Sequence, residues 1–339
     1  MVMTKRLEGR SEPILDPELP ILDSHMHLMN VPGHPYLLDD YLADAQAGHN
    51  VVGSIYCEAK TFARTDGPEH MRPLGEVEFA NGVAAMCASG ALGRCHVAAG
   101  IIGHADLTEG ARIGELLDRC MQTAPDRFRA VRLATLDYPD ERPFQFILSF
   151  KPRRGLLDHP ALPEGLRALS ERGLIFDAAI YDMSMPRLAE HADAHPDLTF
   201  VLGHIGNFVG VDMSPTERAE AFSRWQRDLR ALAERPNVMC KIGGLGMPQS
   251  GFGLHENEAE TTWEDMAGHW RPFVETGIEV FGVERCMMES NFPPDGRAGG
   301  FVPTWNAYKY LTRAFSEDER RDLFGRNAAR IYRIDVPGL

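Results

Sequence analysis

The 339-residue sequence predicts an α/β fold, namely a single-domain (β/α)8 TIM barrel with helices at its C-terminal end. Two observations predict this fold. Short apolar runs of strand-like composition alternate eight times with longer stretches of helical spacing, which is the pattern of βαβ units and a parallel sheet. Most of these runs also lack strict polar and apolar alternation, as expected for strands that are covered on both faces. Eight such repeats in a chain of this length favour a closed barrel over an open sheet.

The eight strand-like runs are spread over the whole chain. They are ILDSHMHL (21–28), VVGSIYCEAK (51–60), HVAAGIIGH (96–104), FRAVRLATL (128–136), GLIFDAAIY (173–181), LTFVLGHIG (198–206), NVMCKIGGLG (237–246) and RCMMESNFP (285–293). Several of the helical stretches between them end with Gly or Pro just before the next run, which is a typical helix stop. Because no long flexible linker divides the chain, we expect an irregular N-terminal arm over residues 1–20 and one barrel domain over residues 21–339.

The composition excludes several classes of function. A hydrophobic content of 44% with 25% charged residues is typical of a globular protein with a sizeable core. The formal net charge of −14 argues against general binding to nucleic acid or to anionic membranes. The six cysteines contain no CxxC pair, the start has no apolar signal region, and no apolar run is long enough to cross a bilayer. We therefore expect a cytoplasmic protein with no nucleic-acid or membrane partner, with a homo-oligomer left open. The net charge does not exclude the small anionic substrate that we expect, because a local cluster of arginines can dominate a pocket.

Ionisable side chains gather where the predicted strands end. His25 and His27 end the first run, and residues two apart in a strand point to the same face. His204 ends the sixth run. Because active sites of (β/α)8 barrels lie at the C-terminal ends of the strands, we expect these three histidines to converge. Further ionisable or amide side chains at such ends are Glu58, Arg132, Lys241, Glu289, Asn291 and Asp295.

Four motifs in this order carry a family resemblance. HMH after the first strand, GHIGN on the sixth, NVMCKIGGLG on the seventh and ESNFP on the eighth resemble the amidohydrolase superfamily. The most similar branch is the amidohydrolase 2 group, which includes sugar-lactone and pyrone-dicarboxylate lactonases. The resemblance runs from about residue 20 to residue 333 and includes the closing LFGRNAARIYRI, which is similar to that group's C-terminal helix. It implies a hydrolase that opens a lactone of a carboxylated or sugar-derived small molecule.

Two other functions stay open beside the lactonase. One is a metal-dependent decarboxylase of the same superfamily, and the other is a catalytically impaired barrel that binds a small anion. The family's eighth strand usually ends in a GSDxP-like motif whose aspartate binds metal and activates water. This sequence has Asn291 at the matching position, which counts against the decarboxylase and is compatible with the impaired barrel.

The resemblance also implies which residues hold a metal. His25 and His27 match the first-strand ligands of metal or substrate, and His204 matches the sixth-strand histidine. The fifth strand lacks the histidine of the binuclear members, and the fourth lacks their bridging lysine, so we expect no two-metal site. Three histidines can hold one divalent metal, zinc or manganese, with an open position for water or substrate. Alternatively, the site is metal-free and the same histidines donate hydrogen bonds to the carbonyl oxygen that becomes an oxyanion.

Hydrolysis also needs a group that takes a proton from water. Asn291 is not a base near neutral pH, so we expect Glu58 or Asp295 to serve the water. Basic side chains can bind a substrate carboxylate, arginine in a bidentate manner. The candidates for substrate binding are Arg132 and Lys241, which match basic positions of the lactonase branch, and Arg153 and Arg154, on a long loop after the fourth strand.

The basic candidates have a structural alternative as well. Arg132 and Lys241 can form ion pairs with acids that point into the barrel, such as Asp177 or Glu58. Asp177 alternates with Phe176 on the fifth strand, so we expect it to point inward as a buried, hydrogen-bonded anchor.

Overall fold

The computed structural model describes residues 12–147, 150–257 and 260–339. The barrel strands are β1 (Ile21–Met26), β2 (Val51–Cys57), β3 (His96–His104), β4 (Phe128–Ala134), β5 (Ile175–Ala179), β6 (Phe200–Leu202), β7 (Val238–Ile242) and β8 (Cys286–Met288). Each lies within one of the eight runs, and consecutive strands pair in parallel from β1 to β8. The predicted (β/α)8 fold is confirmed.

One helix follows each strand on the outside of the barrel. These are α1 (Leu38–Ala45), α2 (Leu74–Ala88), α3 (Gly114–Thr123), α4 (Leu162–Ser170), α5 (Met185–Ala194), α6 (Pro215–Ala233), α7 (Trp263–Phe281) and α8 (Phe301–Leu311). Two short helices, α9 (Glu317–Arg321) and α10 (Asn327–Tyr332), end the chain. Helices α6 and α7 begin with capping boxes at Ser214 and Thr262, whose side chains accept from the backbone three residues on.

The barrel closes between β1 and β8 at the level of the predicted site. Met26 and Phe292 form a parallel bridge, and the backbone N–H of His27 donates to the carbonyl of Phe292 over 2.7 Å. In turn, the N–H of Asn291 donates to the carbonyl of His25 over 2.9 Å. The backbone bonds that close the barrel therefore bring the HMH and ESNFP motifs together.

The C-terminal segment closes the opposite end of the barrel. Apolar side chains of the strands, such as Leu22, Ile102 and Met287, form an inner core that includes Ile331 and Val336 of this segment. Apolar side chains therefore fill this end of the barrel, and we expect a ligand to enter at the other end, where the strands end.

Three smaller findings bear on the expectations from composition. All six cysteines are buried and free. No helix of the described residues is both long and apolar enough to span a membrane. The described part of the N-terminal arm, residues 12–20, has no helix or strand. The backbone N–H of Leu15 donates a hydrogen bond to Oδ1 of Asn306 in α8. The domain boundary at residue 20 stays a prediction.

Candidate active site

His25 and His27 form a buried pair at the end of β1. Their Nε2 atoms are 3.1 Å apart, and Nδ1 of His27 lies 2.9 Å from the carbonyl oxygen of Cys57. Because a carbonyl only accepts, Nδ1 of His27 carries the proton and its Nε2 presents a lone pair. Burial, together with nearby cationic groups, holds the pKa of both imidazoles well below the usual value, so both are neutral. At Nε2, His27 is therefore a metal ligand or a hydrogen-bond acceptor, whereas its Nδ1–H donates to Cys57.

His25 lies on a network of buried charges that fills the barrel below it. Lys241 Nζ lies 3.2 Å from its Nδ1 and donates to Asp177 over 2.8 Å. Tyr332 of α10 donates to the same carboxylate over 2.6 Å. The expected inward orientation of Asp177 is seen, and Lys241 forms the ion pair that was the alternative to substrate binding.

Arg132 and Glu58 form a second buried ion pair. Arg132 Nε donates to Glu58 Oε1 over 2.9 Å, and Nη2 donates to the backbone carbonyl of Glu58 over 2.6 Å. Nη1 lies 3.3 Å from Nε2 of His25. The guanidinium is thus fixed from one side while it still lines the cavity described below. Glu58 is fully buried behind it and does not line that cavity.

His204 and Glu289 form a histidine–carboxylate dyad. Oε1 of Glu289 accepts from Nδ1 of His204 over 2.6 Å and from its backbone N–H over 3.1 Å. Glu289 has no exposed surface, whereas His204 lines the cavity. The carboxylate fixes the Nδ1–H tautomer, so Nε2 of His204 presents a lone pair. This arrangement is that of a general base with an orienting acid.

A left-handed turn at the end of β6 aims His204 at the cavity. His204, Ile205 and Asn207 have φ values of 54°, 48° and 46°. Trp225 Nε1 donates to the carbonyl of Ile205, and Asn207 Nδ2 to the carbonyl of Ile180, each over 2.9 Å. Such conformations are costly for residues other than glycine and persist only where neighbouring contacts impose them, often at functional sites.

Two glycines of β7's IGGLG segment make room for the dyad. A Cβ on Gly244 would lie 2.4 Å from Cβ of His204, and one on Gly243 would lie 2.2 Å from Cγ of Glu289. Gly244 also has a φ of +66°. The glycine pair is therefore required by the close approach of the dyad.

Asn291 and Asp295 form a buried amide–carboxyl pair after β8. Asn291 Nδ2 donates to Oδ1 of Asp295 over 2.7 Å, and the N–H of Gly246 donates to Oδ2 over 3.0 Å. Burial raises the pKa of Asp295 to about 7, although His204 and these hydrogen bonds oppose the rise. The Asn291 amide can offer its NH₂ to the carboxylate or its oxygen to the protonated acid. The pair can therefore hold or release a proton near neutral pH.

A cavity of about 160 Å³ opens above these groups. This volume is small compared with sites for drug-sized ligands and is suited to a small molecule. The polar residues that line it are His27, Arg132, His204, Asn207, Gln249, Asn291 and Arg297. The sequence could have identified two of these residues by their position, because Asn207 belongs to the GHIGN motif and Arg297 lies two residues after Asp295. No such pattern marks Gln249.

Arg153 and Arg154 do not line this cavity. Arg153 forms an ion pair with Asp106, and Arg154 forms one with Glu141. Their predicted role in substrate binding stays a prediction.

The histidine pair fits a single metal ion. Two ligands of one tetrahedral zinc, each about 2.0–2.1 Å from it, lie roughly 3.3 Å apart, close to the 3.1 Å between the two Nε2 atoms. The described residues form two candidate groups, namely His25, His27 and Cys57, and His25, His204 and Glu289. Both groups share His25, so they support one ion rather than two. Burial raises the pKa of the Cys57 thiol well above its usual value, which disfavours the thiolate that a metal requires.

The glycine requirement predicts a loss of stability in Gly244→Ala. A Cβ in a left-handed conformation costs about 1–2 kcal/mol, and the contact with His204 adds to this, so we expect about 2 kcal/mol or more. Gly268→Ala on α7 is the matched control, because nothing lies within 4 Å of its added Cβ and helical alanine is favoured by roughly 0.5–1 kcal/mol. Denaturant unfolding measures both. A Gly244→Ala protein within about 0.5 kcal/mol of the wild type would contradict the packing argument.

The raised pKa of Asp295 predicts a stability that falls as the pH rises. The unfolded chain loses this proton near the ordinary value of 3.8, whereas the folded protein keeps it up to about 7. The stabilisation of the fold by this bound proton is fully present below pH 4. It decreases by about 1.4 kcal/mol per pH unit as the pH rises from there, and it is lost once the pH has passed 7. Between pH 5 and 8, we expect Asp295→Asn to lose about 3 kcal/mol less unfolding free energy than the wild type. Equal losses in both proteins would show that Asp295 is not the group that titrates.

Comparison with known proteins identifies the family of the chain. A family model described as "Amidohydrolase" matches residues 22–334. A protein named uncharacterized protein y4mH, from Sinorhizobium fredii, is 32% identical over 299 residues, which cover 88% of this chain and 86% of that protein. An L-fucono-1,5-lactonase from Burkholderia ambifaria is 28% identical over 190 residues, or 53% of this chain and 57% of the relative.

A solved structure shows the same fold. It is that of an amidohydrolase from Burkholderia multivorans with bound zinc, with a TM-score of 0.68 and 22% identity over 93% of this chain and 99% of that chain. The match covers the barrel from β1 to residue 334, just after α10. On this basis the chain belongs to the amidohydrolase family.

Proposed function

We propose that this chain is a lactone hydrolase in which His204 is the general base. The observation that carries the proposal is the 2.6 Å bond from His204 Nδ1 to Glu289, which leaves Nε2 as a base at the wall of a small cavity. The family supports hydrolysis, and the relative named as a lactonase supports a cyclic ester as the substrate class.

The first step is binding of the lactone with its carbonyl oxygen towards Arg132. Glu58 holds this guanidinium in place, so it is prepared for the negative charge that develops on the oxygen. His204 Nε2 takes a proton from water, and the oxygen of that water attacks the carbonyl carbon. Glu289 stabilises the imidazolium that forms, as the acid does in histidine–carboxylate pairs.

The second step opens the ring. The bond between the carbonyl carbon and the ring oxygen breaks, and the leaving alkoxide takes the proton back from His204. The product hydroxy acid then loses its carboxyl proton, for which Asp295, with a pKa of about 7, is an acceptor linked to the cavity through Asn291. In this scheme Asp295 moves protons, and Glu58 positions Arg132 rather than acting on water.

The histidine pair has its own part in the scheme. A divalent metal held by Nε2 of His25 and His27 would act as a Lewis acid on the carbonyl and lower the pKa of bound water. Lys241 lies below His25, so we assign it to positioning that imidazole rather than to the substrate. Arg132 and Arg297 both line the cavity, but Arg132 is already paired with Glu58, so an anionic substrate stays a prediction. We also propose that the protein is cytoplasmic.

Turnover of lactones tests the proposal directly. Ring opening at neutral pH releases one proton per turnover, which a pH indicator follows for a panel of γ- and δ-lactones. We expect the wild type to open at least one of them and His204→Gln to lower kcat roughly 10²–10⁴-fold, the usual contribution of a general base. His70→Gln, at an exposed histidine outside the site, is the matched control and should keep the wild-type rate.

The same assay separates the rival functions. It is run on the protein as purified, after chelation, and after zinc or manganese is added back. No turnover of any lactone in all three states would overturn the proposal. Release of carbon dioxide from aromatic acids in those preparations would favour the decarboxylase, and binding without turnover would favour the impaired barrel.

A further inference from the structure

The lining of the cavity also bears on which lactone binds, an inference that rests on the proposed function. Most of the residues that line it are apolar, among them Met29, Leu136, Phe146 and Phe150. Within the described part of the chain, no Ser, Thr, Asp or Glu lines the cavity. Hydroxyl groups of a ligand can bond to His27, Asn207, Gln249 or Asn291, but hydroxyl groups placed against the apolar residues would lose water without gaining a partner.

The apolar side chains form a continuous wall over β4 and β5. Arg132, Ala134 and Leu136 follow one another at spacings of two, so they point to the same face in order from the barrel interior to the mouth. On the neighbouring strand, Ala179 and Tyr181 follow Asp177 in the same way, as β5 pairs with β4. The charged groups therefore lie deep in the barrel, and the wall extends outward from them.

This wall belongs to a hydrophobic cluster of its own. The buried side chains of Leu136 and Tyr181 cluster with Val209, and Ile147 and Phe150 of the loop after β4 pack against them. The ring of Phe150 lies 4.4 Å from Nζ of Lys60, a cation–π contact that supports this ring from the segment after β2. The wall is thus held from two sides and is available to a ligand that reaches outward from Arg132.

From this arrangement we infer that the substrate is a lactone with an apolar substituent, a hydrocarbon chain or an aromatic ring, rather than a polyhydroxylated sugar lactone. The ring carbonyl lies by Arg132 and His204, and the substituent lies along the wall formed by Leu136 and Tyr181. The inferred substrate class thus differs from the one in the name of the lactonase relative, L-fucono-1,5-lactonase.

Two δ-lactones with the same ring test the inference. One carries a five-carbon hydrocarbon chain, and the other is a sugar δ-lactone. We expect the kcat/KM of the wild type to be at least tenfold higher for the chain-bearing lactone, because each methylene that leaves water contributes about fourfold. A kcat/KM that is equal or higher for the sugar lactone overturns the inference and leaves the proposed function standing.

Substitutions at Leu136 test whether the wall causes the preference for chain-bearing lactones. Leu136→Asn should lower the ratio of kcat/KM between chain-bearing and unsubstituted δ-lactone at least tenfold, and Leu136→Ala should lower it less. Met86→Asn, at an exposed methionine of α2, is the control and should keep the wild-type ratio. A ratio that is unchanged in both Leu136 variants would contradict the placement of the substituent.

A binding measurement keeps the inference testable if no lactone is hydrolysed. That result would overturn the proposed function but not yet the nature of the wall. Matched lactams, which resist hydrolysis, are then titrated by calorimetry. Tighter binding of the chain-bearing lactam supports the inference, and equal or tighter binding of the polyhydroxylated lactam overturns it.

Discussion

The buried bond between His204 and Glu289 is the constraint on which the site depends. Glu289 accepts from both the ring and the backbone of His204, so it fixes the side chain and the turn that carries it. The turn is left-handed at His204 and can persist only because such contacts impose it. Gly243 and Gly244 allow this approach, since any larger residue would meet the dyad. Three of the four motifs of the sequence are therefore parts of one packing arrangement.

The charges around this dyad are paired so that they can be buried. A buried ion without a partner is costly, and Arg132 and Lys241 each have a carboxylate within 2.9 Å. Their pairing places one cation at the cavity and one below His25. The two histidines of β1 stay neutral in this field, which gives them lone pairs to offer. The site thus combines a fixed cation, a base and neutral ligands within one barrel end.

The sequence was sufficient for the fold and for the convergence of the histidines, since the centre of the His25 ring lies 4.8 Å from that of His27 and 4.6 Å from that of His204. Composition reveals strands that are covered on both faces, and the rule that barrel sites lie at strand ends then places His25, His27 and His204 together. It also offered the pairing of Arg132 with Glu58, but only as one of two alternatives. The local sequence pattern could predict these features because the alternation of side chains along a strand depends only on neighbouring residues.

The remaining features depend on long-range geometry. The dyad joins residues 85 positions apart, and its formation requires a turn that no propensity favours. The raised pKa of Asp295 results from complete burial, which a position after two prolines does not reveal. Gln249 reaches the cavity from a loop whose path is set by tertiary contacts. For these reasons the sequence suggested Glu58 or Asp295 as the base, whereas the geometry favours His204.

The most direct test of the central claim is the effect of Glu289→Gln on the hydrolysis of the best lactone. This substitution keeps the shape of the side chain but removes the charge that holds the tautomer of His204. The account predicts that kcat falls roughly 10²–10⁴-fold while KM changes only a few-fold, since Glu289 does not line the cavity. An unchanged kcat in a folded Glu289→Gln protein would contradict the claim that the dyad performs the chemistry.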